Sequence, residues 1–135
     1  MAREEYRLHA ALMAKIEELS AAEGLPVMWP RKGGDKPNQE YISVYRLPNT
    51  NRKADLASNA MRRQGFLIIT LVSDLSQHES VSLARAGDIA SYFYSGDTLE
   101  KDGQSVEITD HTIRGGRENN QRWETPIWIG YWTIV

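Results

Sequence analysis

The side chains best suited to catalysis and to metal binding are few in this chain and lie far apart in its sequence. His9, His78 and His111 are separated by 69 and 33 positions, and no HxH or HExxH spacing occurs. Metal-binding histidines usually recur within a few positions of one another. The chain also lacks cysteine, which excludes thiolate chemistry, disulfides and cysteine-based zinc sites. The sequence therefore predicts no metal site and no cofactor.

Motifs for nucleophilic catalysis and for phosphate binding are missing as well. The chain contains no GxSxG, no GxxxxGKS/T and no GxGxxG, the patterns typical of hydrolases and nucleotide-binding proteins. Its 18 acidic residues include no pair whose spacing suggests one raised and one lowered pKa, as acid–base catalysis requires. Exposure on a solvated surface explains these carboxylates better than a role in catalysis. We therefore predict that the protein is not an enzyme.

Basic side chains in the middle of the chain are the remaining candidates for a binding function. Arg52, Lys53, Arg62 and Arg63 flank a polar stretch, and such side chains can contact phosphates in a salt-dependent way that ignores base sequence. No aromatic residue lies within segment 46–63, so the stacking platform of single-strand recognition is missing there. The net charge of -2 also disfavours a dedicated nucleic-acid-binding domain. Nucleic-acid binding by this segment stays open, beside an exposed connection that orders only on assembly.

Charge is distributed unevenly along the chain. Residues 30–72 carry eight bases and three acids, a surplus of +5, whereas residues 73–110 carry eight acids and two bases, a surplus of -6. Two oppositely charged surfaces on one subunit can attract head to tail and steer association. Solvated loops that happen to group by sign would give the same pattern.

Length and composition indicate one domain that spans residues 1–135. Hydrophobic residues make up 41% of the chain, enough to form a core, and no run of 18 apolar residues is present, so no membrane partner is expected. The charged N-terminus leads directly into a helical pattern and predicts no secretory leader. An intracellular origin follows from these features and from the absence of cysteine.

Two helices are predicted from the spacing of apolar residues. The first should run from about residue 2 to residue 22, because its apolar residues recur at four, four and three positions, and it should stop at Gly24. These residues are Leu8, Leu12, Ile16 and Leu19. The second should begin with Ser76 or Ser80 as its N-cap and end near residue 94. Its predicted apolar stripe consists of Val81, Ala84, Ile89, Ala90 and Phe93.

Strands are predicted where alternation or β-branched runs occur, with a turn at Asp102-Gly103. Residues 49–58 and 113–121 have loop composition, and Gly65 marks a bulge or a close approach. The predicted strands cover residues 27–29, 41–47, 66–72, 105–109 and 127–135. The order αβββαββ predicts a single α+β domain, with a mixed, mostly antiparallel sheet of about five strands and two helices packed on one face.

The C-terminal segment is the most hydrophobic part of the chain. Residues 123–135 hold three of the four tryptophans, and from Ile127 onward large apolar side chains occupy both alternating sets of positions. One face of this strand should meet the helices and the other should meet another subunit, since contiguous exposed apolar surface usually marks an interaction site. The predicted subunit interface contains Trp128, Tyr131 and Trp132.

The order and spacing of these patterns resemble those of a known family, the tail terminator (tail completion) proteins of long-tailed siphophages, the lambda-like minor tail proteins. The resemblance covers nearly the whole chain and rests on many short apolar patterns with Gly or Pro stops. These patterns lie at 24–29, 47–48, 63–68, 84–93, 95–97, 106–108 and 123–132.

The resemblance implies a ring of identical subunits, six in this family, that caps the head-proximal end of the tail tube and stops its polymerisation. The ring would dock the head connector and let DNA pass through its lumen without specific binding. The implied partners are further copies of the chain, the tail tube protein and the connector; the implied location is the virion tail, with assembly in the host cytoplasm. In this family the loop between the second and third strands approaches the lumen or the tube-facing rim. The corresponding residues here are Asn51, Arg52, Lys53, Arg62 and Arg63.

Two other functions fit the same sequence. A head-completion or neck connector protein can be a similar small α+β chain, and a small nucleic-acid-binding protein could use the basic segment.

The uneven charge of the chain suits the implied ring. A ring closes through a head-to-tail contact, which joins two different surfaces of each subunit, and a basic half and an acidic half could supply these two surfaces.

Overall fold

The computed structural model describes residues 4–29, 39–48, 52–53, 61–101 and 103–134, with side chains described over these ranges except at 4–5, 52–53, 61–63 and 134. Within these residues the chain forms two helices and eight strands. In chain order these are α1 (Glu4–Glu23), β1 (Val27–Met28), β2 (Tyr41–Pro48), β3 (Arg52–Lys53), β4 (Met61–Asp74), α2 (Glu79–Ala90), β5 (Thr98–Lys101), β6 (Gln104–Ile113), β7 (Arg117–Asn119) and β8 (Arg122–Ile134).

Helix α1 follows its apolar period closely. The four predicted core residues, Leu8, Leu12, Ile16 and Leu19, are all fully buried. The helix ends where Gly24 takes a left-handed conformation with φ of 67°, and the backbone N–H of Leu25 then donates to the carbonyl of Ser20 at 3.2 Å. This is the glycine stop that the sequence predicts.

The predicted stripe of helix α2 is right in its second half and wrong in its first. Ile89, Ala90 and Phe93 are buried as predicted. The N-cap of the helix is His78, whose Nδ1 accepts from the backbone N–H of Ser80 at 3.1 Å, rather than either predicted serine. The prediction that Val81 and Ala84 line the buried stripe is wrong, since both are exposed. The buried helical residues are Ser82, Ala86, Ile89 and Ala90. Positions 81 and 84 lie on the opposite side of a 3.6-residue helix from positions 82, 86 and 89, so a shifted start turns them outward.

The sheet is larger than the predicted five strands. Six strands follow one another in the order β1-β2-β4-β8-β6-β5, while β3 pairs with one end of β4 and β7 with one end of β8. Among the strands that the structure describes, β1 and β2 form the only parallel pair, and the other pairings are antiparallel. The strands absent from the prediction are β3, β5 and β7, which have only two to four residues each. The α+β class with two helices is confirmed.

Both helices pack on the same face of the sheet, here called the core face. Cross-strand partners such as Val44 with Ile69, and Leu67 with Ile129, place their buried side chains on this face. Buried residues of α1 and α2 belong to the same cluster as these strand residues. The strongly alternating strands β4 and β8 therefore form the centre of the domain, with every second residue directed at the helices.

Candidate assembly surface

The opposite face of the sheet, here called the outer face, carries large apolar side chains that neither helix covers. Tyr45, Ile68 and Trp128 are direct cross-strand partners on β2, β4 and β8, and Leu47 is the partner of Phe66 in the next row. Tyr45 is 57% exposed, Leu47 38% and Phe66 37%, while Ile68 and Trp128 are half-buried. These five residues are named the outer patch. They belong to the three central strands of the sheet, so they form one continuous surface.

The aromatic rings of the outer patch hold each other in place. The rings of Phe66 and Trp128 meet edge to face, with centroids 5.2 Å apart and an interplanar angle of 65°. The guanidinium of Arg114 lies over the Trp128 ring, 4.4 Å from its centroid, where the electron-rich face of the ring attracts the positive charge in a cation–π interaction. The backbone N–H of Arg114 donates to the carbonyl of Pro126 at 2.8 Å. Trp128 is thus held between the Phe66 ring and the Arg114 guanidinium.

A bulge in β6 sets one edge of the outer patch. The register of β6 against β8 shifts between Ile108 and Asp110. A Cβ added at Gly130 would collide with Oγ1 of Thr109 and lie 3.0 Å from Oδ1 of Asp110, so polar side chains of the bulge lie over the glycine. Bulges re-aim side chains in this way. The result is a polar rim beside Trp128 on the β6 side.

The turn that joins β7 to β8 closes the opposite end of the outer face. Tyr41 and Val72 belong to this face by register, yet both are buried. The Arg122 guanidinium lies 5.8 Å from the Tyr41 ring centroid, and its Nη1 donates to the carbonyl of Gln39 at 3.3 Å. The exposed apolar surface therefore ends between the Tyr45–Ile68 pair and the Tyr41–Val72 pair.

The three residues predicted as a subunit interface fall on two different faces. Trp128 and Trp132 lie on the outer face and are half-buried, whereas Tyr131 lies on the core face and is 2% exposed. Side chains of a strand alternate between faces, so position 131 cannot share a surface with 128 and 132. Tyr131 is a core residue, and of the three only Trp128 and Trp132 lie on the outer face. The subunit interface itself stays a prediction.

The other members of the outer patch escaped the sequence reasoning, although a signal for them existed. Tyr41, Ser43, Tyr45 and Leu47 occupy one alternating set of positions, and Phe66 and Ile68 continue the same pattern in a neighbouring strand. Alternation identifies the two faces of each strand. It does not show which strands are neighbours, and only the strand order brings Tyr45 and Phe66 beside Trp128.

The predicted basic loop is partly strand. Arg52 pairs with Arg62 and Lys53 with Met61 across β3 and β4, and on the other side of β4 Arg63 pairs with Thr133. The backbones of four of the five predicted rim residues, Arg52, Lys53, Arg62 and Arg63, therefore come together at one end of the sheet. The fifth residue, Asn51, lies outside the described residues.

Three titratable side chains of the described residues have pKa values shifted by their surroundings. A hydrogen bond from the backbone N–H of Ser76 lowers the pKa of Asp74. Partial burial, followed by a hydrogen bond to Glu23, raises the pKa of Tyr92. A hydrogen bond to Asp97 raises the pKa of Tyr94. These groups lie at turns and at helix ends and do not converge on one cleft.

The histidines do not form a common site. His78 caps α2, the ring Nδ1 of His111 lies 3.1 Å from the carbonyl oxygen of Phe93, and His9 is exposed on α1. Among the residues whose placement is described, no group of three or more His, Asp or Glu side chains could hold a metal ion. Neither of the two described helices has the length and apolar character needed to cross a membrane.

The sequence identifies a family over most of its length. Residues 7–131 match the model of the family described as phage tail terminator protein, and the chain belongs to this family. The family match confirms the resemblance to tail terminator proteins seen in the sequence and supports a structural protein of the phage tail. A search of curated proteins found no match.

Two solved structures share the fold. One, a protein without a functional name, superposes with a TM-score of 0.78 over 96% of this chain and 94% of its own, at 18% sequence identity. The other belongs to the virion of a native gene transfer agent (GTA) particle; it superposes with a TM-score of 0.60 over 99% of this chain and 98% of its own, at 14% identity. At these identities the likeness is one of fold.

Proposed function

We propose that copies of this protein, six to a ring, cap the head-proximal end of a phage tail tube. The ring stops further polymerisation of the tube and offers a surface to the head connector. DNA passes through the central opening without being bound specifically. The protein catalyses no reaction, and its specificity lies in its contacts with copies of itself, with the tube and with the connector.

The outer patch, in a chain of the tail terminator family, is the observation that carries this proposal. Aromatic and aliphatic side chains of this size are usually covered by another element, and contiguous exposed apolar surface is typical of sites of association. The few residues that dominate the binding free energy of protein interfaces are enriched in tryptophan, tyrosine and arginine. The half-buried Trp128 and Trp132 belong to the same surface. The fold shared with a chain of a GTA virion is consistent with a place in a virus-like particle.

We further propose that Asn51, Arg52, Lys53, Arg62 and Arg63 form the rim of the ring that faces the tube or the lumen. The pairing of β3 with the first residues of β4 supports this, because it gathers basic residues at one end of the sheet, beyond the last pairing of β2. A basic rim suits contact with an acidic tube surface, and the same charges would lie beside passing DNA.

Charge reversal tests the role of the rim. The double variant Arg52→Glu with Lys53→Glu should lower the yield of complete, infectious particles, since it removes two positive charges and adds two negative ones. The control is Arg7→Glu with Lys101→Glu, which makes the same change in charge at exposed positions of α1 and β5. A particle yield unchanged by the rim variant would refute contact between this rim and the tube.

Electron microscopy of tails made without the protein separates a terminator from its nearest alternative. A terminator predicts tubes longer than those of the wild-type phage. Normal-length tails that fail to join heads would instead identify a head-completion or neck protein. Binding of the purified chain to DNA that falls steeply with salt would favour the nucleic-acid alternative.

A further inference from the structure

The N-terminus of α2 is capped by a side chain that can gain a proton. His78 is the N-cap, in an extended conformation with φ of -66° and ψ of 142°, and its Nδ1 accepts from the backbone N–H of Ser80 at 3.1 Å. The usual N-cap residues, serine, threonine, aspartate and asparagine, accept through an oxygen that stays an acceptor near neutral pH. A histidine ring nitrogen accepts only while the ring is neutral. The cap of α2 therefore depends on the protonation state of one side chain.

The neutral ring of His78 receives the backbone N–H of Ser80 on Nδ1, so its own proton lies on Nε2. The Oγ of Ser80 lies 2.8 Å from the same nitrogen. The carbonyl of His78 accepts from the backbone N–H of Val81 at 3.0 Å. The first N–H groups of a helix have no acceptor within the helix itself, and residue 78 supplies two of them with one. The first turn of α2 is therefore closed in the neutral state.

Protonation of the His78 ring removes this acceptor. An imidazolium carries a proton on both nitrogens, so Nδ1 can donate to Oγ of Ser80 but no longer accepts from the Ser80 N–H. The positive charge also lies at the N-terminus of α2, where the helix dipole disfavours a cation. His78 is exposed, so the charged ring can turn into solvent. The Ser80 N–H then loses its cap.

Charged side chains beside the cap, among those that the structure describes, do not replace the lost bond. Asp74 at the end of β4 accepts from the backbone N–H of Ser76 at 2.9 Å, and Glu79 is exposed in the first turn of α2. Both acids attract an imidazolium, whereas Arg122, the cross-strand partner of Asp74, repels it. Interactions between charges at the surface are weak and are screened by salt. The hydrogen bond to the backbone therefore decides the effect of protonation.

We propose that His78 is a pH-sensitive cap, which closes the first turn of α2 while the ring is neutral and opens it once the ring is protonated. Histidine side chains change charge between about pH 8 and pH 5. The folded helix binds the neutral form, so the cap stabilises α2 at the upper end of this range and is lost as the pH falls. The cap lies at the Asp74 end of β4, and the basic residues of the proposed rim lie at the Met61 end. A fall in pH thus alters the end of the subunit away from the rim, and the inference does not depend on the proposed function.

Comparison with a cap that does not titrate tests the inference on the full chain. His78→Asn keeps a good N-cap at every pH, and the wild type and the variant share all other titratable groups. The ratio of the unfolding equilibrium constant of the wild type to that of His78→Asn, measured by urea denaturation, should rise about fivefold from about pH 7.5 to about pH 5. The matched control is His111→Gln, because Nδ1 of His111 lies 3.1 Å from the carbonyl oxygen of Phe93 and can donate to it in both charge states. The corresponding ratio for His111→Gln should not rise.

Amide hydrogen exchange locates the change within the chain. After correction for the intrinsic effect of pH on exchange, protection of the wild-type Ser80 amide should fall about fivefold over the same pH range. Protection of the Leu12 amide in α1, and of the Ser80 amide in His78→Asn, should stay constant. An unfolding ratio for His78→Asn that does not change with pH, or that rises equally for His111→Gln, would overturn the inference. Equal losses of protection in α1 and α2 would overturn it as well, because they would show a change in the whole domain and not at the cap.

Discussion

Gly65 shows how one residue fixes the packing at the end of the β2–β4 pair. A Cβ at this position would lie 2.6 Å from the carbonyl oxygen of Leu47 and 2.8 Å from the hydroxyl oxygen of Tyr131. The β2–β4 register runs through Pro48 and Gly65 without a shift. The glycine therefore serves a close approach and not a bulge, which is the second of the two roles that the sequence predicts.

Substitution of Gly65 tests this approach. Gly65→Ala should lower the free energy of unfolding by about 1–3 kcal/mol, because backbone atoms must move to admit the methyl group. Gly87→Ala is the matched control: no atom lies within 4 Å of its added Cβ, so the change should stabilise α2 by about 0.5–1 kcal/mol. Chemical denaturation of both variants measures the difference. Equal effects at the two positions would show that the contact at Gly65 is not close.

At the scale of elements, the turn between β7 and β8 is a point of conformational strain. Asn120 and Gln121 have φ values of 51° and 63°, as the two central residues of a type I′ hairpin turn require. Asparagine tolerates this region, whereas glutamine has no such preference. The turn packs near Arg122 and Tyr41, so it also closes one end of the outer face.

Relief of this strain should stabilise the protein. Gln121→Gly is expected to raise the free energy of unfolding by about 0.5–1 kcal/mol, since glycine removes the Cβ clash but loses more entropy on folding. Gly103→Ala makes the opposite change at a position with φ of 81° and no neighbouring atom within 4 Å of the added Cβ. It should destabilise by about 1 kcal/mol. Thermal melts that move in the same direction for both variants would contradict this explanation.

Long periodic elements of this fold were predictable, and short ones were not. The apolar period of α1 runs from Leu8 to Leu19, about three turns, and the helix ends at Glu23, one residue beyond the predicted end. Strands β3 and β7 contain too few residues to show alternation, and they form because β4 and β8 offer long partners. The first turns of α2 were mispredicted because the N-cap is His78, and histidine is outside the usual set of N-cap residues.

At the scale of the whole molecule, the outer patch was hidden from sequence reasoning by the order of the strands. Tyr45 and Trp128 are 83 positions apart, and only the central place of β4 between β2 and β8 puts them on one surface. The aromatic character of the C-terminal strand predicted a surface that meets another subunit, and this stays a prediction. Alternation alone could not identify which residues of other strands lie beside Trp128. Pairing between distant strands depends on the whole sheet.

The outer patch should affect assembly without affecting stability. Tyr45→Thr removes an exposed ring but keeps a residue that suits a strand, so the free energy of unfolding should change by less than about 0.5 kcal/mol, while ring formation is lost. Tyr6→Gln is the control, because Tyr6 is 65% exposed on α1 and lies outside both proposed surfaces. Assembly that survives Tyr45→Thr, or fails equally in Tyr6→Gln, would exclude the patch as the interface.

The mass of the particle that the purified protein forms, measured by light scattering with and without cognate tail tubes, tests self-association most directly. The proposed ring predicts a species of about six times the chain mass of 15.3 kDa, in free solution or on the tube ends, and its loss in Tyr45→Thr. A wild-type chain that stays monomeric in both samples would contradict the proposal that this protein acts by joining copies of itself.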